Sequence, residues 1–220
     1  MCPCMEAPTR KRAVSESDLQ THWDKAYRAK GEGGVSWFEE SPAISLDLIH
    51  ATGVTADASI IDIGGGASRL VDALLEEGFG AVTVLDLSGE ALERSKARLG
   101  ARSAKAKWAV ADVTTWEPSQ TYDVWHDRAT FHFLTDEKDR AAHSERVLRA
   151  VRPGGHVIIG TFALDGPERC SGLPVMRHDA ASLGRMLGPS FEPVESRDHV
   201  HRTPMGTIQR FQFSRFRRLK

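Results

Sequence analysis

Ser59-Ile60-Ile61-Asp62-Ile63-Gly64-Gly65-Gly66-Ala67-Ser68, followed by Leu85-Asp86-Leu87-Ser88, decides the fold of this chain. The first stretch reads as a buried apolar strand, a glycine turn and the entry to a helix. The second reads as another strand ending in an acid. That layout builds a crevice for a nucleoside-bearing ligand at the carboxyl edge of a parallel sheet. Three adjacent glycines let the main chain run close to a bulky ligand where a Cβ would collide. Asp86, 22 residues beyond Gly64, falls where an acid can accept both ribose hydroxyls.

Strand and helix patterns alternate from this stretch to the end of the chain. Strands are expected over 60–63, 81–85, 107–111, 122–126, 156–162, 192–197 and 207–216, with helices over 68–77, 90–99, 137–151 and 180–187. Leu70, Val71, Leu74 and Leu75 form one helical stripe, which Gly78 stops. Helices of this length between strands argue for right-handed βαβ units and a parallel sheet. The last two strands are joined by about nine residues with no helical pattern, which suits an antiparallel hairpin. A reversed strand is therefore expected at the end of the sheet.

Ahead of the alternation, Leu19, Trp23, Ala26 and Tyr27 recur at helical spacing over 15–30, and 42–51 reads as a second short helix. Val35-Ser36-Trp37-Phe38 connects them. Residues 15–57 are read as a helical cap over the crevice, within a single domain spanning 15–220. Residues 1–14 mix Pro, Cys and charge as a disordered arm, without the apolar core of a secretory signal.

Bulk properties exclude some classes. The formal charge of −1 gives no general attraction to nucleic acid or membrane, and no apolar run approaches the ~20 residues that span a bilayer. Arg210, Arg215, Arg217, Arg218 and Lys220 read as solvated strand-edge charges. The three cysteines, Cys2, Cys4 and Cys170, make no disulfide framework, so the chain is placed in the cytoplasm. Cys2-Pro3-Cys4 has no second pair at a zinc-like distance, and His199-Val200-His201 has no evident third ligand, so no metal is expected.

Two cofactor readings compete. A dinucleotide fingerprint needs a third glycine where this chain has Arg69. The pattern present is Asp-x-Gly-x-Gly-x-Ser, with Asp62 two residues before Gly64. An acid there can meet an ammonium group, whereas it would repel a pyrophosphate.

At these residues the chain resembles the class I S-adenosylmethionine-dependent methyltransferases, over about 15–216. Ile60 to Gly66 resembles the family's first motif, Asp86 its ribose-binding acid, and Leu87 the apolar residue against adenine. Val110-Ala111-Asp112-Val113 is similar to the third motif, whose acid accepts from the adenine amino group. Tyr122-Asp123-Val124-Trp125-His126-Asp127 resembles the strand that ends beside the transferable methyl, and Arg152-Pro153-Gly154-Gly155 closes a stretch similar to the family's turn before strand five. The resemblance implies an α/β, Rossmann-like doubly wound sheet of seven mostly parallel strands, the last antiparallel, under an N-terminal helical lid. It implies S-adenosylmethionine as cofactor, bound by Tyr27, Trp37, Asp62, Gly64, Gly65, Gly66, Asp86, Leu87, Asp112, Val113 and Asp127. From the residues alone, Asp112 can equally cap the turn before Thr114-Thr115, and Trp37 with Phe38 can equally staple the N-terminal helices.

Methyl transfer from a sulfonium needs alignment and exclusion of water more than a dedicated base. Asp127 is the candidate that faces the methionine moiety or the acceptor, and His132 is a candidate base. His126 to His132 is similar to an Asp-Lys-Gly-Thr-x-Asp stretch of seven-strand protein lysine methyltransferases, but Arg128, Ala129 and His132 replace Lys, Gly and the second acid. The loop 163–175 exceeds the usual 2–6 residues and is read as acceptor-facing. The favoured function is therefore methyl transfer to a small-molecule acceptor by a monomer or homodimer, with a protein lysine acceptor as the alternative. A nicotinamide-dependent reductase and a non-catalytic nucleoside-binding module are the rivals from other classes.

Overall fold

Ile60, Ile61 and Ile63 are fully buried because β1 (Ser59–Ile63) runs through the interior of a seven-stranded sheet covered on both faces. The computed structural model describes residues 16–30 and 33–220. The arm expected over 1–14, with Cys2 and Cys4, lies outside the described residues.

On one side of β1 lies β2 (Ala81–Asp86), then β3 (Ala106–Val110) at the edge; on the other lies β4 (Tyr122–Arg128), then β5 (Val151–Phe162). These five strands are parallel, in registers that align Asp62 with Val84 and His126, and Ile63 with Asp127. All their carboxyl ends therefore open at one rim. Between β5 and the rest comes a two-strand ribbon, β6 (Arg169–Cys170) and β7 (Leu173–Pro174), inside the long loop. The chain ends in the hairpin of β8 (Phe191–Arg202) and β9 (Ile208–Arg218).

The last strand of the chain is antiparallel, as expected, but its place in the sheet differs. β9 is inserted between β5 and β8, so the edge strand is β8 and not the reversed one. The hairpin turn is also shorter than about nine residues, because the ladder runs on through His201↔Gln209 and Arg202↔Ile208. Polar residues prolong a strand there because one side of β8 faces solvent. The helix expected over 137–151 likewise stops at Ala150, and Val151 already pairs with Tyr122.

Alternation along each strand divides the core between two faces. Ile60, Val82, Val84 and Ile158 pack with α2 (Ala43–His50), α3 (Leu70–Glu76) and α4 (Gly89–Leu99). Ile61, Ile63, Val157 and Ile159 pack with α5 (Glu137–Ala150) and α6 (Ala180–Leu187). The first helix, α1 (Glu16–Lys30), is tied to the start of α4 through Asp24, which accepts from the Ser88 hydroxyl at 2.6 Å and from the Glu90 amide at 3.3 Å. Ser88 in turn caps α4 by accepting from the Ala91 amide. Among the described residues, no helix is long and apolar enough to cross a membrane.

Candidate active site

At the end of β1 the chain turns through the three glycines, and the amides of Gly64 and Gly65 both donate to the Leu85 carbonyl, at 2.7 and 3.3 Å. This draws the loop against the end of β2. A Cβ on Gly65 would stand 2.5 Å from Asp62 Oδ2, and one on Gly66, whose φ is +34°, 2.7 Å from Asp86 Oδ2. The missing side chains thus leave two carboxylates against bare backbone.

Asp86 ends β2 almost fully buried, accepting from the Ser88 amide at 2.7 Å. Burial pushes its carboxyl up to about 7, with the charges of Asp62 and Asp24 adding and the Ser88 and Gly66 amides opposing. Asp112, beyond β3, accepts from the Thr114 amide and hydroxyl through Oδ1, both at 2.7 Å, so it does serve the turn. It also lines, with Asp86, Leu87 and Val113, a crevice of about 1680 Å³ counting its open mouth. Small-ligand clefts span roughly 300–1,000 Å³, and the part of this one that a bound molecule could fill, about 420 Å³, falls within that range. It is also lined by Trp23, Phe133, Asp136 and Asp139, and by Cys170, Leu173 and Pro174 of the β6–β7 ribbon. The long loop thus contributes to the wall of the crevice.

A smaller recess shares Tyr27, Trp37, Gly64 and Arg128 with the crevice and reaches Asp62, His126 and Ser45. Asp62 is 2% exposed; Oδ1 lies 2.7 Å from His126 Nδ1, and Oδ2 has no partner among the described residues. An unpartnered buried carboxylate oxygen beside bare glycine backbone fits a ligand ammonium. Tyr27 and Trp37 form the wall between the two spaces: Trp37 Nε1 donates to the Tyr27 hydroxyl at 3.2 Å. Burial and the nearby Asp86 charge raise the Tyr27 hydroxyl above its ordinary range, so it stays protonated.

Arg128 anchors the connection that carries Trp37, donating to the Trp37 carbonyl at 3.0 Å and pairing with Glu39 at 2.8 Å. Glu39 also meets His199 and His201, at 3.3 and 3.2 Å. Burial works to raise its carboxyl, but the His201 hydrogen bond and the Arg128 charge hold it below the ordinary value. Glu39 is the third group that H-x-H lacked in the sequence, and the three could hold a metal ion by spacing alone. Arg128 already brings a cation to the same oxygen.

Two residues expected at the chemistry stand elsewhere. Asp127 is fully buried and lines neither space: Oδ1 accepts from the Thr130 and Phe131 amides, each at 3.1 Å, and Oδ2 lies 3.0 Å from His143 Nε2. His132 is fully buried among Phe133, Phe162 and Phe211 and is likewise absent from both linings. Burial, then the charges of His178 and Arg128, lowers it to about 3. Sequence reading missed Ser45 and Glu39. The only signal for Ser45 was a hydroxyl among the inward positions Ile44, Leu48 and Ile49; Glu39 had none.

A methyltransferase domain family matches residues 60–155 of this chain. The chain is similar to EEF1A lysine methyltransferase 2 of Danio rerio, 30% identical over 175 residues that cover 72% of this chain and 74% of that protein. It is also similar to malonyl-(acyl-carrier protein) O-methyltransferase of Paenibacillus sp. (strain JDR-2), 28% identical over 118 residues, which are 51% of this chain and 42% of that protein. The fold is like that of Burkholderia thailandensis 1,6-didemethyltoxoflavin-N1-methyltransferase, solved with 1,6-didemethyltoxoflavin and S-adenosylhomocysteine, with a TM-score of 0.71 at 20% identity over 97% of this chain and 95% of that one.

Proposed function

As this chain belongs to the class I S-adenosylmethionine-dependent methyltransferases, we propose that it methylates a small-molecule amine in the crevice at the carboxyl ends of β1, β2 and β3. The observation that carries this reading is the set of three carboxylates on those strand ends. Asp86 and Asp112 face the wide crevice, and Asp62 faces the recess that shares Gly64 with it. Asp86 would accept the ribose hydroxyls, Asp112 the adenine amino group beside Leu87 and Val113, and Asp62 Oδ2 the ammonium of the methionine moiety. The bound cofactor supplies an electrophilic methyl on a sulfonium, open to in-line attack by a nitrogen lone pair.

The chain's own part is to bind, align and exclude water. Tyr27 and Trp37 close the space between nucleoside and methionine ends, and an aromatic face there favours a sulfonium by roughly 0.5–2 kcal/mol. The acceptor end carries Asp136 and Asp139, while the lining cation among the described residues, Arg128, is paired with Glu39. That balance favours amine acceptors over carboxylate acceptors. No buried base is assigned, since Asp127 and His132 line neither space; the amine proton leaves through the open mouth. Cysteine usage supports a cytoplasmic location for this enzyme.

A screen with a methyl-labelled donor tests the reading, offering small amines, small carboxylates and protein fractions side by side. Label in the amine pool alone is the expected result; label only in carboxylates or protein would contradict it. A protein lysine acceptor is the second reading, favoured by the 30% identity to a lysine methyltransferase.

A further inference from the structure

Behind the glycine loop, three buried side chains from different elements form one hydrogen-bonded line. Ser45 of α2 is 1% exposed, His126 of β4 is 2% exposed and Asp62 of β1 is 2% exposed. Ser45 Oγ lies 2.9 Å from His126 Nε2, and His126 Nδ1 lies 2.7 Å from Asp62 Oδ1. All three line the recess. The charged or titratable groups that share that lining are Arg128 of β4, Glu39 of the lid connection and Tyr27 of α1. Arg128 pairs with Glu39, and Tyr27 is held neutral, so neither supplies Asp62 with a counter-charge.

A buried carboxylate needs a cation or a full set of donors. Asp62 has one donor, on Oδ1, and nothing on Oδ2. Among the described residues, His126 is the group in contact that can complete the charge. The line works in both protonation states. An imidazolium donates to Asp62 and to Ser45, while a neutral ring keeps Nδ1–H on Asp62 and accepts from the Ser45 hydroxyl, which rotates to suit.

We propose that His126 is the resident counter-cation of Asp62, protonated while the recess is empty and neutral once Asp62 Oδ2 holds the cofactor's ammonium. This rests on the reading that Asp62 faces that ammonium. One carboxylate then never carries two cations, and Ser45 keeps the ring aimed at Asp62 throughout. His126 is a positioning residue whose proton is exchanged for the ligand's charge. The consequence is linkage: binding expels a proton, so affinity rises with pH by up to about tenfold per unit. Asp86 adds a dependence of the same sign, because its carboxyl, pushed up to about 7, must ionise to take the ribose. A test must therefore isolate His126.

The test is calorimetry of S-adenosylhomocysteine binding in buffers of different ionisation enthalpy, which counts protons released. Wild type is expected to release more protons with S-adenosylhomocysteine than with its analogue lacking the α-amino group, the difference approaching one proton per bound ligand at acidic pH. In His126→Asn, which retains a donor to Asp62, that difference is expected to vanish while binding persists. Equal release with both ligands in wild type overturns the proposal even if the variant does not fold, as does a difference that survives in the variant. Failure of wild type to bind S-adenosylhomocysteine at all would instead overturn the cofactor reading.

Discussion

Asp62 and Asp127 sit one step apart on neighbouring strands, at the same rim of the same sheet, and their surroundings are opposite. Asp62 keeps an oxygen without a partner and faces a recess; Asp127 has both oxygens engaged and faces none. The first belongs to the half built from β1, β2 and β3, where the glycine loop leaves room. The second belongs to the half built from β4, β5 and the hairpin, where His143, Phe131 and Trp125 close over the strand end. A carboxylate at a strand's carboxyl end is thus available to a ligand only where a lone pair is left uncommitted.

The largest effect is expected where that comparison is broken from the closed side. Asp127→Ala leaves His143 without its buried partner and the turn over 131–133 without its acceptor, at about 3–5 kcal/mol of stability. Calorimetric unfolding should show Tm lower by roughly 6–20 °C at about 2–4 °C per kcal/mol, with affinity for S-adenosylhomocysteine retained wherever the variant is folded. Loss of affinity with unchanged Tm would reassign Asp127 to the site.

From the open side, Asp86→Ala should weaken S-adenosylhomocysteine by roughly 1.5–3 kcal/mol, about 10- to 150-fold by titration, without lowering Tm. The same residue predicts a pH effect. Its folded carboxyl is raised to about 7, so the folded chain holds a proton that the unfolded chain has released. That stabilisation is complete below the ordinary carboxylate range and lost as pH rises through about 7. Asp86→Asn should remove this fall, giving a Tm above that of wild type at about pH 8, and a Tm equal to or below wild type there would show that burial does not strain this carboxyl.

Trp37→Phe keeps the aromatic wall and deletes one donor to Tyr27, at about 0.5–1.5 kcal/mol. Affinity should fall only about 2- to 12-fold, and a larger loss would mean that the indole itself meets the ligand. The smallest effect is expected from His132→Asn. A ring lowered to about 3 and sealed from both spaces is no base for an amine, so kcat should stay within about twofold of wild type once folded protein is matched; a hundredfold loss would restore His132 to the chemistry.

Legibility followed the same division. Apolar runs and glycines marked β1, β2 and β5 in the sequence because parallel strands buried on both faces read as runs rich in Val and Ile. Asp86 was legible because it ends such a strand, and Asp112 because it follows the edge strand β3 by two residues. The hairpin was only partly legible: its ladder runs through His199, Asp198 and His201, which carry no apolar alternation. Asp127 and His132 misled because spacing reports position along a strand and not whether a helix covers it. It took α5, bringing His143 across 16 residues of sequence, to close Asp127. Ser45 and Glu39 were beyond reach because their partners are 81 and 160 residues away, with His126 and His199.

The most direct measurement is a crystal structure of the complex with S-adenosylhomocysteine. The account predicts adenine beside Asp112 and Val113, both ribose hydroxyls on Asp86, and the ammonium on Asp62 Oδ2. A nucleoside bound anywhere but the carboxyl ends of β1, β2 and β3, or an ammonium turned away from Asp62, would contradict it.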